Sequence, residues 1–126
     1  MKLRSTRGFT LLEIMVALAV LALAMGAVIK AAADYTDNQT YLRDRTMTAW
    51  VARDVLVQYQ LENQWPRVGE RKGTLKMGRQ EWQWLAIISQ TEEEQLRRID
   101  VEVRALDADD ADPITVLSGF LKQPEQ

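Results

Sequence analysis

Cysteine and histidine are both absent from the chain, and each absence removes a class of chemistry. Without Cys there is no disulfide staple and no thiol nucleophile; without His there is no imidazole acid–base group and no ordinary zinc site. Proline is scarce, and none stands between Phe9 and Trp65, so nothing in that stretch forbids one long helix. A strong charge of one sign is missing as well, the formal net charge being −2. Its distribution is uneven. Lys2, Arg4 and Arg7 stand at the start, and residues 31–126 are acidic on balance. An acidic body argues against nucleic acid as a partner. No nucleophile–base pair, phosphate loop or metal cluster is recognisable, so neither a catalytic residue nor a cofactor is expected. At 126 residues the chain has room for one domain.

What the sequence does have is a long apolar run. Ile14 to Ile29 carry no polar side chain, and counted from Phe9 the run is broken only by Thr10 and Glu13. A helix of that length spans roughly 30 Å, enough to cross a bilayer core. The basic flank before it and the acidic body after it predict a cytoplasmic N-terminus by the positive-inside bias. Glu13 is the anomaly, because a carboxylate in a membrane helix costs on the order of a few kcal/mol unless it is neutralised or paired. Taken alone, it either snorkels, caps its own helix N-terminus, or meets a cation from another chain.

Past Lys30 the pattern turns amphipathic. Leu42, Ala49 and Leu56 repeat every seven residues with Trp50, Val57 and Leu61 beside them, and Met47, Val51 and Val55 form a neighbouring track. Thr48 and Arg53 fall on the opposite, polar surface. One helix is therefore expected from Phe9 to about Asn63, ended by Trp65-Pro66, since the residue before a proline avoids helical geometry. Beyond it Arg67–Gly73 reads as a charged loop and Thr74–Met77 as a short strand. Glu81–Ser89 alternates, with Trp82, Trp84, Ala86 and Ile88 on one side. Gln90–Gln95 is a polar turn, Arg98–Leu106 the clearest strand, and Ile114–Leu121 the last. The expected fold class is α+β, a small antiparallel sheet of three or four strands packed on the second half of the helix.

Gly8-Phe9-Thr10-Leu11-Leu12-Glu13, with the basic leader before it and the apolar run behind, resembles the processing site of type IV prepilins. The resemblance implies that a prepilin peptidase removes residues 1–8 by cutting between Gly8 and Phe9 and methylates the new Phe9 amine. It also implies that Glu13 serves assembly by pairing with a neighbouring subunit's Phe9 amine, and a type IV pilin-like fold. Residues 9–30 would be the transmembrane half of the helix and 31–126 a periplasmic domain. Thr48–Leu61, Glu62–Pro66, the Trp82/Trp84 strand, Leu96–Arg104 and Leu117–Leu121 are similar to the minor pseudopilin I family of type II secretion. That family implies an inner-membrane subunit of the pseudopilus tip that helps carry folded proteins across the outer membrane. The implied partners are the J- and K-type minor pseudopilins, the major pseudopilin, the peptidase and the inner-membrane assembly platform. A minor pilin of a type IV pilus would share the same leader, and a signal-anchored periplasmic binding domain is the third reading. One departure is Lys30, where many major pilins have proline.

Other signals read more plainly. Trp50, Trp82 and Trp84 are expected in the core, leaving Trp65 as the exposed tryptophan and a candidate partner contact. Asp107, Asp109, Asp110 and Asp112 have Ala111 where a further calcium ligand would stand, and so read as a solvated loop. Arg97 and Arg98 are expected to form a surface cluster with Glu92–Glu94.

Overall fold

The computed structural model describes residues 8–62 and 65–125; Lys2, Arg4 and Arg7, and the Asn63-Gln64 step, lie outside the described residues. Helix α1 covers Leu11–Leu61, followed by β1 (Gly69–Met77), β2 (Gln80–Gln90), β3 (Leu96–Ala105) and β4 (Thr115–Lys122). The strands form one antiparallel sheet in the order β1-β2-β3-β4. The α+β expectation therefore holds. Contacts divide the chain into two units, Met1–Thr40 and Tyr41–Gln126.

In the first unit the helix begins at Leu11, two residues later than expected, and runs unbroken through Gly26 and Lys30. Its apolar side chains from Leu11 to Ile29 are exposed. Its most apolar 18-residue window has a mean hydropathy of 2.5 and no buried residue, long and apolar enough to cross a membrane. Just beyond it Lys30 pairs with Asp34 at 3.1 Å, an exposed i,i+4 contact worth a few tenths of a kcal/mol at most.

In the second unit the helix buries Thr48, Val51, Ala52, Val55 and Leu56, an i, i+3, i+4, i+7, i+8 stripe. Against it stand Trp82, Ala86 and Ile88 of β2, Ile99, Val101 and Val103 of β3, and Leu121 of β4. Burying each of the large aliphatic side chains contributes about 1.5–3 kcal/mol. This stripe keeps Leu56 and the Met47, Val51 and Val55 track of the expected face and corrects the rest. Ala49 and Trp50 are exposed, as are Leu42 and Leu61, while Thr48 is wholly buried. The seven-residue count followed apolar residue types, and the fold instead rotates a threonine inward because its hydroxyl is satisfied there. Thr48 Oγ1 lies 2.8 Å from the Asp44 carbonyl, to which it donates, and 2.7 Å from Thr115 Oγ1 on β4.

Thr48→Val removes the buried member of that hydroxyl pair and leaves the half-buried Thr115 hydroxyl without its partner. We expect a loss of about 1 kcal/mol in urea unfolding of the detergent-solubilised chain. Adding Thr115→Val should recover part of the loss, because two apolar groups then replace two paired polar ones.

The first strand was also underestimated. Gly69–Gly73, expected as loop, forms the first half of β1, with Gly69 opposite Ile88 and Gly73 opposite Trp84. The cause is cross-strand packing: the Trp84 indole lies over Gly73, where a Cβ would meet the ring at 2.4 Å. The charges of Glu70, Arg71 and Lys72 then sit on an exposed edge strand, a common protection for such edges. β3 alternates as expected. Its outward residues pair along the strand, Arg98 with Asp100 at 3.1 Å and Arg104 with Glu102 at 2.7 Å. Arg104 Nε also donates to the Ala111 carbonyl at 2.8 Å, tying down the acidic loop after β3.

Candidate functional site

The residues around the Gly8–Phe9 bond precede the helix, and Gly8, Phe9 and Thr10 are all exposed. Phe9 is 87% exposed, and nothing lies within 4 Å of the position a Cβ on Gly8 would take. The bond thus lies in non-helical, exposed chain, with no side chain on Gly8 to shield its carbonyl.

The helix starts at Leu11 because Thr10 caps it. Thr10 Oγ1 accepts the Glu13 N–H at 3.2 Å, and Glu13 Oε2 accepts the Thr10 N–H at 3.1 Å. This reciprocal pair is a capping box, satisfying two backbone donors that the helix would otherwise leave open. The carboxylate also sits in the first turn, where the helix dipole favours it. Sequence reasoning singled out Glu13 but overlooked Thr10, although Thr10-Leu11-Leu12-Glu13 is the T-x-x-E pattern itself. The other carboxylate oxygen, Oε1, has no hydrogen bond among the described residues. Phe9, Glu13, Ile14, Ala17, Leu18 and Leu21 line an open, mostly apolar recess of about 430 Å³. The acid is thus the one charged group lining an otherwise apolar recess.

Trp82 and Trp84 are placed in or against the core as expected, whereas Trp50 and Trp65 depart from expectation. Trp82 is buried, with Nε1 donating to the Met77 carbonyl at 3.3 Å, and Trp84 is half-buried over Gly73. Trp65, expected to be exposed, is half-buried: the Arg97 guanidinium lies 4.3 Å above its ring and donates to the Pro66 carbonyl. Arg97 is accordingly spent on the chain that follows the helix rather than on Glu92–Glu94. Trp50 is the exposed tryptophan, where core packing was expected. Further along α1, where Tyr59, Pro66, Arg71 and Trp84 line one recess, burial pushes the Tyr59 phenol up, an effect opposed by Arg71 and assisted by Glu62.

Comparison with known proteins fixes the family. The model for type II secretion system (T2SS), protein I matches residues 42–122, which contain the whole sheet and the helix stripe packed on it. The chain belongs to the type II secretion system protein I family. The prokaryotic N-terminal methylation motif matches residues 3–29, spanning Gly8, Phe9 and Glu13. A type II secretion system protein I from Pseudomonas aeruginosa is 37% identical over 103 residues, covering 82% of this chain and 80% of the relative. One from Klebsiella pneumoniae is 36% identical over 124 residues, covering 97% and 100%. The fold is shared with a chain of the GspK–GspI–GspJ complex from the enterotoxigenic Escherichia coli type 2 secretion system. That match has a TM-score of 0.54 at 22% identity, over 65% of this chain and 96% of the other. As a family member with one N-terminal apolar helix, the chain is a membrane-anchored pseudopilin.

Proposed function

We propose that the chain is the I-type minor pseudopilin of a pseudopilus tip complex, with J- and K-type subunits as partners and the major pseudopilin below them. Residues 1–8 are a leader that prepilin peptidase removes at the cytoplasmic face of the inner membrane, leaving N-methylated Phe9. Residues 9–30 cross that membrane and pack in the assembly, and residues 31–126 are periplasmic. The chain acts by position rather than by catalysis: it starts pseudopilus growth, and the growing fibre moves folded proteins from the periplasm through the outer membrane. The observation that carries this reading is one chain holding both the methylation motif at 3–29 and the family match at 42–122.

The half-occupied carboxylate supplies the physical role of the site. Glu13 Oε2 is engaged by its own Thr10, which fixes the rotamer and leaves Oε1 for a donor from outside. Cutting after Gly8 creates an α-amine on Phe9 with an unperturbed pKa of about 8, hence mostly positive at neutral pH. In a staggered bundle that ammonium meets the Glu13 carboxylate of the adjoining subunit, and in low dielectric the pair offsets the desolvation of both charges.

Mass spectrometry of the mature chain from its native membrane tests the reading. The expected product begins at Phe9 and carries one N-methyl group. A chain beginning at Met25 or Ala33 would instead mark ordinary signal-peptidase cleavage and overturn it.

A further inference from the structure

On α1, away from the stripe that faces the sheet, Trp50 and Val57 are 55% and 37% exposed. With Arg53, Asp54 and Met77 at the end of β1 they line an open recess of about 360 Å³. The spacing decides what fits it. Positions 50, 53, 54 and 57 are i, i+3, i+4 and i+7 of one helix. That is the four-residue hole into which a facing helix inserts a single side chain. An extended strand, with side chains alternating between its two faces, does not match that pattern.

Charge narrows the occupant further. Arg53 and Asp54 are exposed at the middle of the hole, and among the described residues neither is in an ion pair. Chains anchored by the same N-terminal helix lie parallel in the membrane. A second copy staggered by the four residues that separate Phe9 from Glu13 would set Ala49 or Val57 against Arg53 and Trp50 or Gln58 against Asp54, so neither charge would meet its opposite. The complementary occupant carries an acid where this chain has Arg53, a base where it has Asp54, and an apolar knob between them. A Trp and an Arg around a recess are also the residue types that dominate interface energetics.

We propose that this hole receives one apolar side chain from the long helix of a different pseudopilin subunit, a proposal that rests on the tip-complex reading above. It assigns Trp50 as the anchor of that contact, with Arg53 and Asp54 setting its partner and register.

The test places a photo-crosslinking amino acid at Val57 of the full chain, affinity-tagged and expressed with its secretion machinery in native membranes, and maps the product by mass spectrometry. The expected product joins Val57 to the long helix of another pseudopilin. A crosslink to a second copy, to a non-helical segment or to nothing, while the tagged chain still co-isolates with other pseudopilins, overturns the hole and leaves the tip-complex reading standing. If the wild-type chain co-isolates with no pseudopilin, the reading beneath fails and the proposal with it. Trp50→Ala should lower co-isolation at least about tenfold. Its urea unfolding midpoint should stay unchanged, because Trp50 is no part of the buried core. Asp54→Arg should weaken the complex similarly, with rescue by the reciprocal charge change at the crosslinked partner position. Unchanged co-isolation of Trp50→Ala overturns the assignment.

Discussion

Glu13→Gln is expected to leave peptidase cleavage and helix formation nearly intact while reducing recovery of the chain in the tip complex at least about tenfold. The two roles of this residue separate at that substitution. Glutamine serves the capping box as glutamate does, since its amide oxygen still accepts the Thr10 N–H. What it cannot supply is the negative charge. A neighbouring Phe9 ammonium facing a neutral amide in the membrane keeps its desolvation cost and loses its counter-charge. Breaking a buried pair in this way costs about 3–5 kcal/mol. Glu13→Ala also removes the return half of the capping box, leaving the Thr10 N–H open while Thr10 still caps the helix. Recovery of the complex should therefore fall for both variants, with helix fraying added only for alanine. Wild-type recovery with Gln would reduce Glu13 to a helix cap and remove the pairing account.

The helix, the number of strands and the methylation motif were legible because each is written locally, as apolar runs, alternation and a short pattern. β3 is the clearest case, with Ile99, Val101 and Val103 turned in and Arg98, Asp100 and Glu102 turned out. The misreadings fall where a residue's surroundings come from elsewhere in the chain. Thr48 looks polar in sequence, and its burial rests on the Asp44 carbonyl of its own helix together with Thr115, distant on β4. Gly69 and Gly73 look like loop punctuation, but Gly73 is the floor under an indole from the next strand. Trp65 looks exposed after the helix end until Arg97 of β3 covers it. Trp50 illustrates the reverse. Its apolar character suggested the core, while the core face was already filled by Val51, Ala52 and Val55. At the candidate site the charged residue was conspicuous and its partner was not, because a lone threonine in an apolar run stands out only when it is counted three residues ahead of Glu13 as the start of a capping box.

Gly119→Val provides a comparably sharp test of how the sheet is seated on the helix. On β-propensity alone the substitution should stabilise β4, since valine suits a strand and glycine weakens one. Packing reverses the sign. A Cβ at Gly119 would lie 2.8 Å and 2.9 Å from the two δ carbons of Leu56, well inside van der Waals contact. Leu56 cannot simply swing aside, because it belongs to the core formed with Val55, Val101 and Leu121. Overpacking of this kind costs about 1–3 kcal/mol, more than the propensity gain returns. Urea unfolding of the detergent-solubilised chain, followed by the fluorescence of Trp82 and Trp84, should show the midpoint falling accordingly. The decisive comparison is with Leu56→Ala, which alone leaves a cavity costing about 2–5 kcal/mol. In that background Gly119→Val should cost less, or gain, because its methyl groups enter the vacated space. A coupling of at least about 1 kcal/mol is expected for two groups in direct contact. If the two losses simply add, Leu56 does not rest on Gly119, and the glycine is there for another reason than close approach of the helix.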